Sequence, residues 1–395
     1  MLRTVFVMAA LAAALPAAGA TWHVARDGTG EFSVIQAAVD AAASGDTIMI
    51  GPGRYNEGAI VVTPGWTEFV RVLIRQPELT LIGAGPTQTI IGPTTPWDLS
   101  QGWNIGIEMG SYWGHRRGWI SGIGFENMAF GVTGAEAPES ATIRDCRFTM
   151  DVGAVSFAYG GALTVSDCEF NLAARNDREI FVSGLQSVQI ENCRFNLAPE
   201  NRWYQKAVQL QSVANAVVTA CSFTGGDAGL GLHGVGAARV SHCAFSDQTS
   251  SDGQFAVGIY VAGGAVTVTE CVFDTQTNAI FAESSAELEV MHTQVLDASK
   301  ASLNFVSLNA LTVHDCVLAR GPRYTVWQEF PCDTKASAGG LPHLDMTGND
   351  WGTSNADSIA SWIRTCEYVV DFVPYVGQPV AVERKTFGEV KALFR

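Results

Sequence analysis

Positive charge is scarce in this chain of 395 residues. Lys and Arg number 24 against 39 Asp and Glu, a net charge of −15. That balance disfavours nucleic acid and anionic membrane surfaces as partners. It would also repel a polyanionic sugar unless a bound cation such as Ca2+ bridged the two. Long apolar runs are lacking as well. The one candidate, Val5 to Leu15, is too short to span a bilayer, so no integral membrane protein is expected. Histidine is rare (7 residues). None accompanies the cysteines at Cys-x-x-Cys spacing, so no metal site is read from them. No cofactor motif is present.

What the chain does have is one phrase repeated. Ile143-Arg144-Asp145-Cys146-Arg147-Phe148 returns as Val165 to Phe170, Ile190 to Phe195, Val218 to Phe223, Val240 to Phe245 and Val268 to Phe273. It then returns in weaker form around Thr293 and Cys316, and the anchors are 22, 25, 28, 22, 28, 22 and 23 residues apart. A period of this length is the mark of a solenoid. Apolar residues lie three and five positions before each anchor, as in Leu163 and Val165, or Val266 and Val268. That is strand periodicity with one buried face. The step to the cysteine is three, and Asp145, Asp167, Asn192 or Asp315 stands in the break, which is corner chemistry. The cysteine and the aromatic two beyond it open a second strand. A third lies upstream, marked by pairs such as Ile180 and Val182, or Leu230 and Leu232. Three short strands in about 22 residues predict an all-β chain folded as a right-handed parallel β-helix. One turn cannot bury its own apolar face, but a stack can. The extra residues of the longer repeats fall at one corner, between the Cys-x-Phe strand and the next upstream strand.

The ends differ from the repeat. Residues 1–20 fit a signal peptide: Arg3, the apolar run, then Ala18-Gly19-Ala20. The mature protein is therefore expected to be secreted, periplasmic or on the cell surface. The solenoid is placed at 21–379, with an N-terminal cap at 21–46 and a C-terminal cap at 332–379, followed by a basic tail at 380–395. Ser33 is read as the cap of a helix from Val34 to Ala43, and a second short helix is expected near Asp357 to Arg364. Export permits disulfides. Seven of the nine cysteines share one register and, stacked in parallel, are poorly aimed for bridging. Cys332 and Cys366 lie outside that register and form the candidate disulfide.

The opening segment carries a resemblance. Asp27-Gly28-Thr29-Gly30-Glu31-Phe32-Ser33-Val34-Ile35-Gln36, then Gly45-Asp46-Thr47 and Gly53-Arg54-Tyr55-Asn56-Glu57, resemble the start of pectin methylesterases and many pectin-lyase-like β-helix proteins. The resemblance implies the β-helix fold and a helical end-cap. It does not carry esterase catalysis, because the Gln-Asp, Asp-Phe-Ile-Phe-Gly and Leu-Gly-Arg-Pro-Trp motifs of that family are missing. Gly225-Gly226-Asp227-Ala228 lacks the paired Asp of polygalacturonases, and Leu232-His233-Gly234 matches them only in part. Asp227 and Asp252 stand alone, whereas a pectate lyase clusters its calcium-binding Asp residues. Asn349-Asp350-Trp351-Gly352 and the helix after it resemble the C-terminal cap of other exported β-helix proteins, with Trp351 closing the core.

Candidate functional residues come from two places. From Gly92 to Trp119 the repeat pauses, and the expected long loop holds Trp97, Trp103, Trp113 and Arg116. Trp203 and Tyr204 crowd another corner. Aromatic faces beside guanidinium groups suit a sugar, although the same rings could plug the side of the solenoid. The outward positions of the upstream strand hold Gln209, Gln211, His233 and Glu283, with Tyr260 nearby after a shift of register. His233 and Glu283 are the acid–base candidates, about two turns or roughly 10 Å apart. Two functions follow. The first is a monomeric exported protein that binds or processes a polysaccharide or surface glycan, as a lyase or glycoside hydrolase if it is catalytic. The second is a non-catalytic surface or envelope scaffold.

Overall fold

The structure, a computed structural model, describes residues 19–373 apart from 64–65, 97, 99–101, 110–116, 135–138, 151, 173–177, 198–204, 250–255, 275, 285, 319–323, 329–342 and 366. The chain winds as a right-handed parallel β-helix with three strands to a turn. In one turn these are Lys206–Gln211 on the first face, Asn215–Thr219 on the second and Ser222–Thr224 on the third. Each pairs in parallel with its counterpart one turn on: Ala228–His233, Ala237–Ser241 and Ala244–Ser246. The third face is an 11-stranded sheet among the described residues. In two turns the first and second faces share one bent strand, Gly153–Ser166 and Arg178–Glu191.

The interior follows from the repeat. The paired apolar positions of the first face, such as Ile180 and Val182, or Leu230 and Leu232, are buried. Phe125, Phe148, Phe170, Phe195, Phe223, Phe245 and Phe273 stack face to face, with centroids 4.6–4.9 Å apart and planes within 6°. That spacing is the separation of hydrogen-bonded strands, so the ladder sets the ring geometry. The seven cysteines beside the rings are buried and free. Each thiol donates to a carbonyl, as Cys193 Sγ does to Glu191 O at 3.3 Å. Burial pushes the Cys316 thiol up to about 12, so it stays protonated.

The corner before each cysteine is left-handed. Asp145, Asp167, Asn192 and Asp315 have φ of 49–56°, and Ala220, His242 and Glu270 adopt the same conformation. Only the Asp, Asn and His residues are ones that favour it. In the others the ladder imposes it, since each amide still donates to the next turn, as Ala220 N does to Ser241 O at 3.0 Å.

The ends are closed as expected in outline, with corrections in detail. Helix α1 (Ile35–Ala41) turns Ile35, Ala38 and Val39 into the core, but Val34 is its N-cap and Ser33 makes no capping bond. Its Gln36 completes the edge of the strand Trp66–Ile74, where Oε1 accepts from Leu73 N at 2.7 Å and Nε2 donates to Leu73 O at 3.2 Å. An open edge would invite pairing with another chain. At the other end Trp351 is buried and packs edge-on to Phe372. Buried Asn349 binds Cys316 N, Val313 O and Met346 O. Helix α2 (Ala356–Ser361) is capped by Asn355 and ends before Ile363–Arg364. Those two residues join the exposed edge of Val326–Gln328 as a strand, so the expected helix to Arg364 is too long.

The expected pause from Gly92 to Trp119 also needs correcting. Trp103–Met109 and Arg117–Ser121 are regular strands of the first and second faces. Ile105, Ile107 and Met109 alternate inward. The turn was hidden because Ile123 replaces the cysteine anchor. The expected signal peptide up to residue 18, the tail at 380–395, Cys332 and Cys366 lie outside the described residues.

Candidate functional site

The first face presents two outward columns. One runs Phe181, Gln209, Gly231, Tyr260, Phe281. The other runs Ser183, Gln211, His233, Ala262, Glu283. Lys206 begins its strand at the corner beside them, next to Arg178 of the preceding turn. Gly231 is the key to the arrangement. A Cβ there would lie 3.2 Å from Lys206 Cδ and 3.3 Å from His233 Nε2. The missing side chain lets the two long side chains meet over the strand, with Lys206 Nζ 3.1 Å from His233 Nε2.

The cluster continues across the next two turns. The His233 ring lies 4.9 Å from Tyr260. The Lys206 ammonium sits 5.2 Å above the same ring, within cation–π range. The Tyr260 hydroxyl donates to Glu283 Oε1, and its ring stacks on Phe281 at 5.6 Å and 6°. His233 and Glu283 therefore stand two rungs apart with Tyr260 between them.

Burial and charge set the protonation states. Burial, aided by the Arg178 guanidinium, pulls Lys206 down to about 8. Burial and the charges of Lys206 and Arg178 pull His233 down to about 4. Burial and the bond to Glu283 push the Tyr260 phenol up. Near neutral pH the imidazole is thus uncharged. It accepts at Nε2 from the ammonium, which places the ring proton on Nδ1. No carboxylate compensates Arg178 or Lys206 among the described residues. Arg178 lies over the Phe181 ring at 4.7 Å. Gln209 is buried, and its Oε1 has no hydrogen-bond partner among the described residues. Two adjacent cations are groups that an anionic ligand can satisfy.

The other sequence candidates are spread along the same face. Gln211 is exposed beside His233. Gln209 is in the outward column but covered, not open to solvent as its position suggested. Trp103 is 37% exposed, with its ring 5.3 Å from Phe130. It stands five rungs from the His233 strand, roughly 24 Å away. Trp97, Trp113, Arg116, Trp203 and Tyr204 lie outside the described residues. Further on, Lys300 sits 4.2 Å above the Trp327 ring, and Tyr324 is 5.8 Å from Trp327. Sequence reasoning missed Lys206 and Arg178 as site residues because they sit at the corner, outside the outward columns. The signal was Gly231, the one gap in a column of large side chains. Among the described residues no three His, Cys, Asp or Glu side chains gather as a metal site would require. No helix there is long and apolar enough to cross a membrane.

An extended outward face on a parallel solenoid defines the class, a right-handed parallel β-helix protein. Residues 178–329 match the family described as right handed beta helix region. No curated protein matches the chain by sequence. Among solved structures, the chain is similar to the catalytic unit of a thermostable GH87 alpha-1,3-glucanase from Streptomyces thermodiastaticus strain HF3-3. The identity is 13%, with 87% of this chain and 64% of that chain covered and a TM-score of 0.48. The Agl-KA catalytic domain gives 12% identity, 92% and 68% coverage and a TM-score of 0.45. An alginate lyase from Paenibacillus sp. str. FPU-7 gives 13%, 74% and 94%, and 0.36. The chain thus spans just under two thirds of the first of these.

Proposed function

We propose that this is an exported polysaccharide-active protein that binds an acidic glycan along the first face and cleaves it by elimination at Lys206. The observation that carries the reading is the adjacent pair of cations, Arg178 and Lys206, which meet no carboxylate among the described residues in a chain of net charge −15. A uronate carboxylate pairs with the Arg178 guanidinium, which sets the sugar beside the Lys206 amine. The anion's attraction is local, so no bridging Ca2+ is needed.

The chemistry follows from the protonation states. Arg178 neutralises the uronate carboxylate and so stabilises the charge that develops when the neighbouring C–H is broken. Lys206, as the free amine, takes that proton. The C–H electron pair becomes a C=C bond, and the C–O bond to the next sugar breaks. The ammonium returns the proton to the departing oxygen, so no water is consumed and one product carries an unsaturated end. His233 and Gly231 position Lys206, and Tyr260 offers its ring and holds Glu283. Hydrolysis would want two carboxyl groups about 5–9.5 Å apart across the scissile bond. The hydrogen bonds of this cluster reach one, Glu283. Export rests on Arg3, the apolar run and Ala18-Gly19-Ala20.

The test uses the secreted chain with alginate, polygalacturonate and a neutral glucan, with and without EDTA. The expected result is ultraviolet absorbance from unsaturated ends on one acidic polymer. The rate should rise through about pH 8 as Lys206 loses its proton, and Lys206→Met should bind without cleaving. Binding without cleavage by the unaltered chain would leave a glycan-binding protein. Neither binding nor cleavage across the panel would replace this reading with the scaffold.

A further inference from the structure

One residue on the first face adopts a conformation that its neighbours reserve for small side chains. The corner joining the first and second faces is left-handed in six successive turns, from Tyr159 to Ser284. The column reads Tyr159, Gly184, Ser212, Gly234, Gly263, Ser284, with φ of 53°, 72°, 50°, 59°, 79° and 59°. Five of the six are glycine or serine. A large aromatic residue has no conformational reason to be there. It has no burial reason either, since Tyr159 is 70% exposed. Its ring lies over Gly184, where a Cβ would approach Tyr159 Cδ1 to 2.9 Å. The glycine is a seat that holds the ring flat against the backbone with its other face in solvent. An exposed aromatic residue kept in a strained backbone conformation points to a functional demand.

Its place in the fold says which demand. Ala158, its neighbour, is in register with Ser183, then Gln211, then His233. Tyr159 therefore stands three rungs from His233 along the same edge, roughly 14 Å. Among the described residues, those between the two are the short side chains of Ser183 and Ser212, the exposed Gln211 and the bare backbone of Gly184. That is a shallow track with an aromatic platform at one end and the Lys206–His233–Tyr260 cluster at the other. A rung is close to the length of one sugar unit in an extended chain. Resting on the acidic-glycan reading of that cluster, we infer that Tyr159 is a remote binding platform. It stacks the apolar face of a pyranose ring about three sugar units from the reacting bond and so selects for longer oligosaccharides.

The substitution that tests this is Tyr159→Gly, which suits the left-handed backbone and removes the ring. Tyr159→Phe keeps the ring and removes only the hydroxyl. The probes are uronate oligomers of two and of eight units, cut from whichever polymer the protein binds. Expected for Tyr159→Gly is a Tm equal to or above that of the unaltered protein. Its affinity for the octamer should fall roughly tenfold, as for the loss of one aromatic contact. Dimer affinity should not change, and Tyr159→Phe should behave as the parent. Octamer binding unchanged in Tyr159→Gly, or a loss shared equally by dimer and octamer, would overturn the inference and leave the glycan reading standing. If the unaltered protein binds no oligomer, the glycan reading falls and the platform with it.

Discussion

Lys206 is held in place by a residue with no side chain. Gly231 opens the gap in which its amine and the His233 imidazole meet, and the same crowding depresses both. The consequence for stability falls on His233. Unfolded, it takes up a proton near 6.5; folded, only near 4. Between those values the unfolded chain binds a proton that the folded chain refuses, so stability is lost as pH falls through that window. The contribution is fully present above 6.5. We expect the Tm of the unaltered protein to drop more steeply between pH 6.5 and 4 than that of His233→Gln, which cannot titrate. Parallel curves would mean that the imidazole is not held neutral.

The strand and its stack are the scale at which the sequence is most legible. The Cys-x-Phe period marks the third face, and in the span from Phe125 to Phe273 each repeat contributes one of the seven stacked rings. Because the rings sit on a continuous ladder, removing one leaves a void bounded by two others that the backbone holds apart. Phe195→Ala is therefore expected to cost about 3–5 kcal/mol, the upper range for a buried aromatic. Urea unfolding would check this, and a loss under about 1 kcal/mol would show that the neighbouring rings collapse into the gap. Where the period lacks its cysteine, reading from sequence fails. Ile123 conceals a whole turn, so the strand Trp103–Met109 reads as loop although Ile105, Ile107 and Met109 alternate. The site was half legible for a related reason. His233, Tyr260 and Glu283 follow from register alone, since strands place side chains with period two. Lys206 reaches His233 across 27 residues through the space above a glycine. Tyr159 is visible only once its φ is known. Neither relation is written in local periodicity.

Over the whole molecule, charge sets up an opposition between long and short range. The body carries −15, while the cluster offers two cations at a half-buried spot. On the acidic-glycan proposal, an approaching polyuronate first meets the repulsion of the body and only later the attraction of the Arg178 and Lys206 corner. Between about 0.01 and 0.15 M salt the Debye length shrinks from about 30 to about 8 Å, which removes the long-range part and spares contacts made at close quarters. Added salt should therefore speed association of a uronate octamer severalfold and leave dissociation nearly unchanged. A neutral oligosaccharide should respond in neither rate. Stopped-flow tryptophan fluorescence across that salt range separates the two rates. An association rate that falls with salt would mean that the approach is steered by attraction, and that the binding face extends over more positive surface than Arg178 and Lys206 supply.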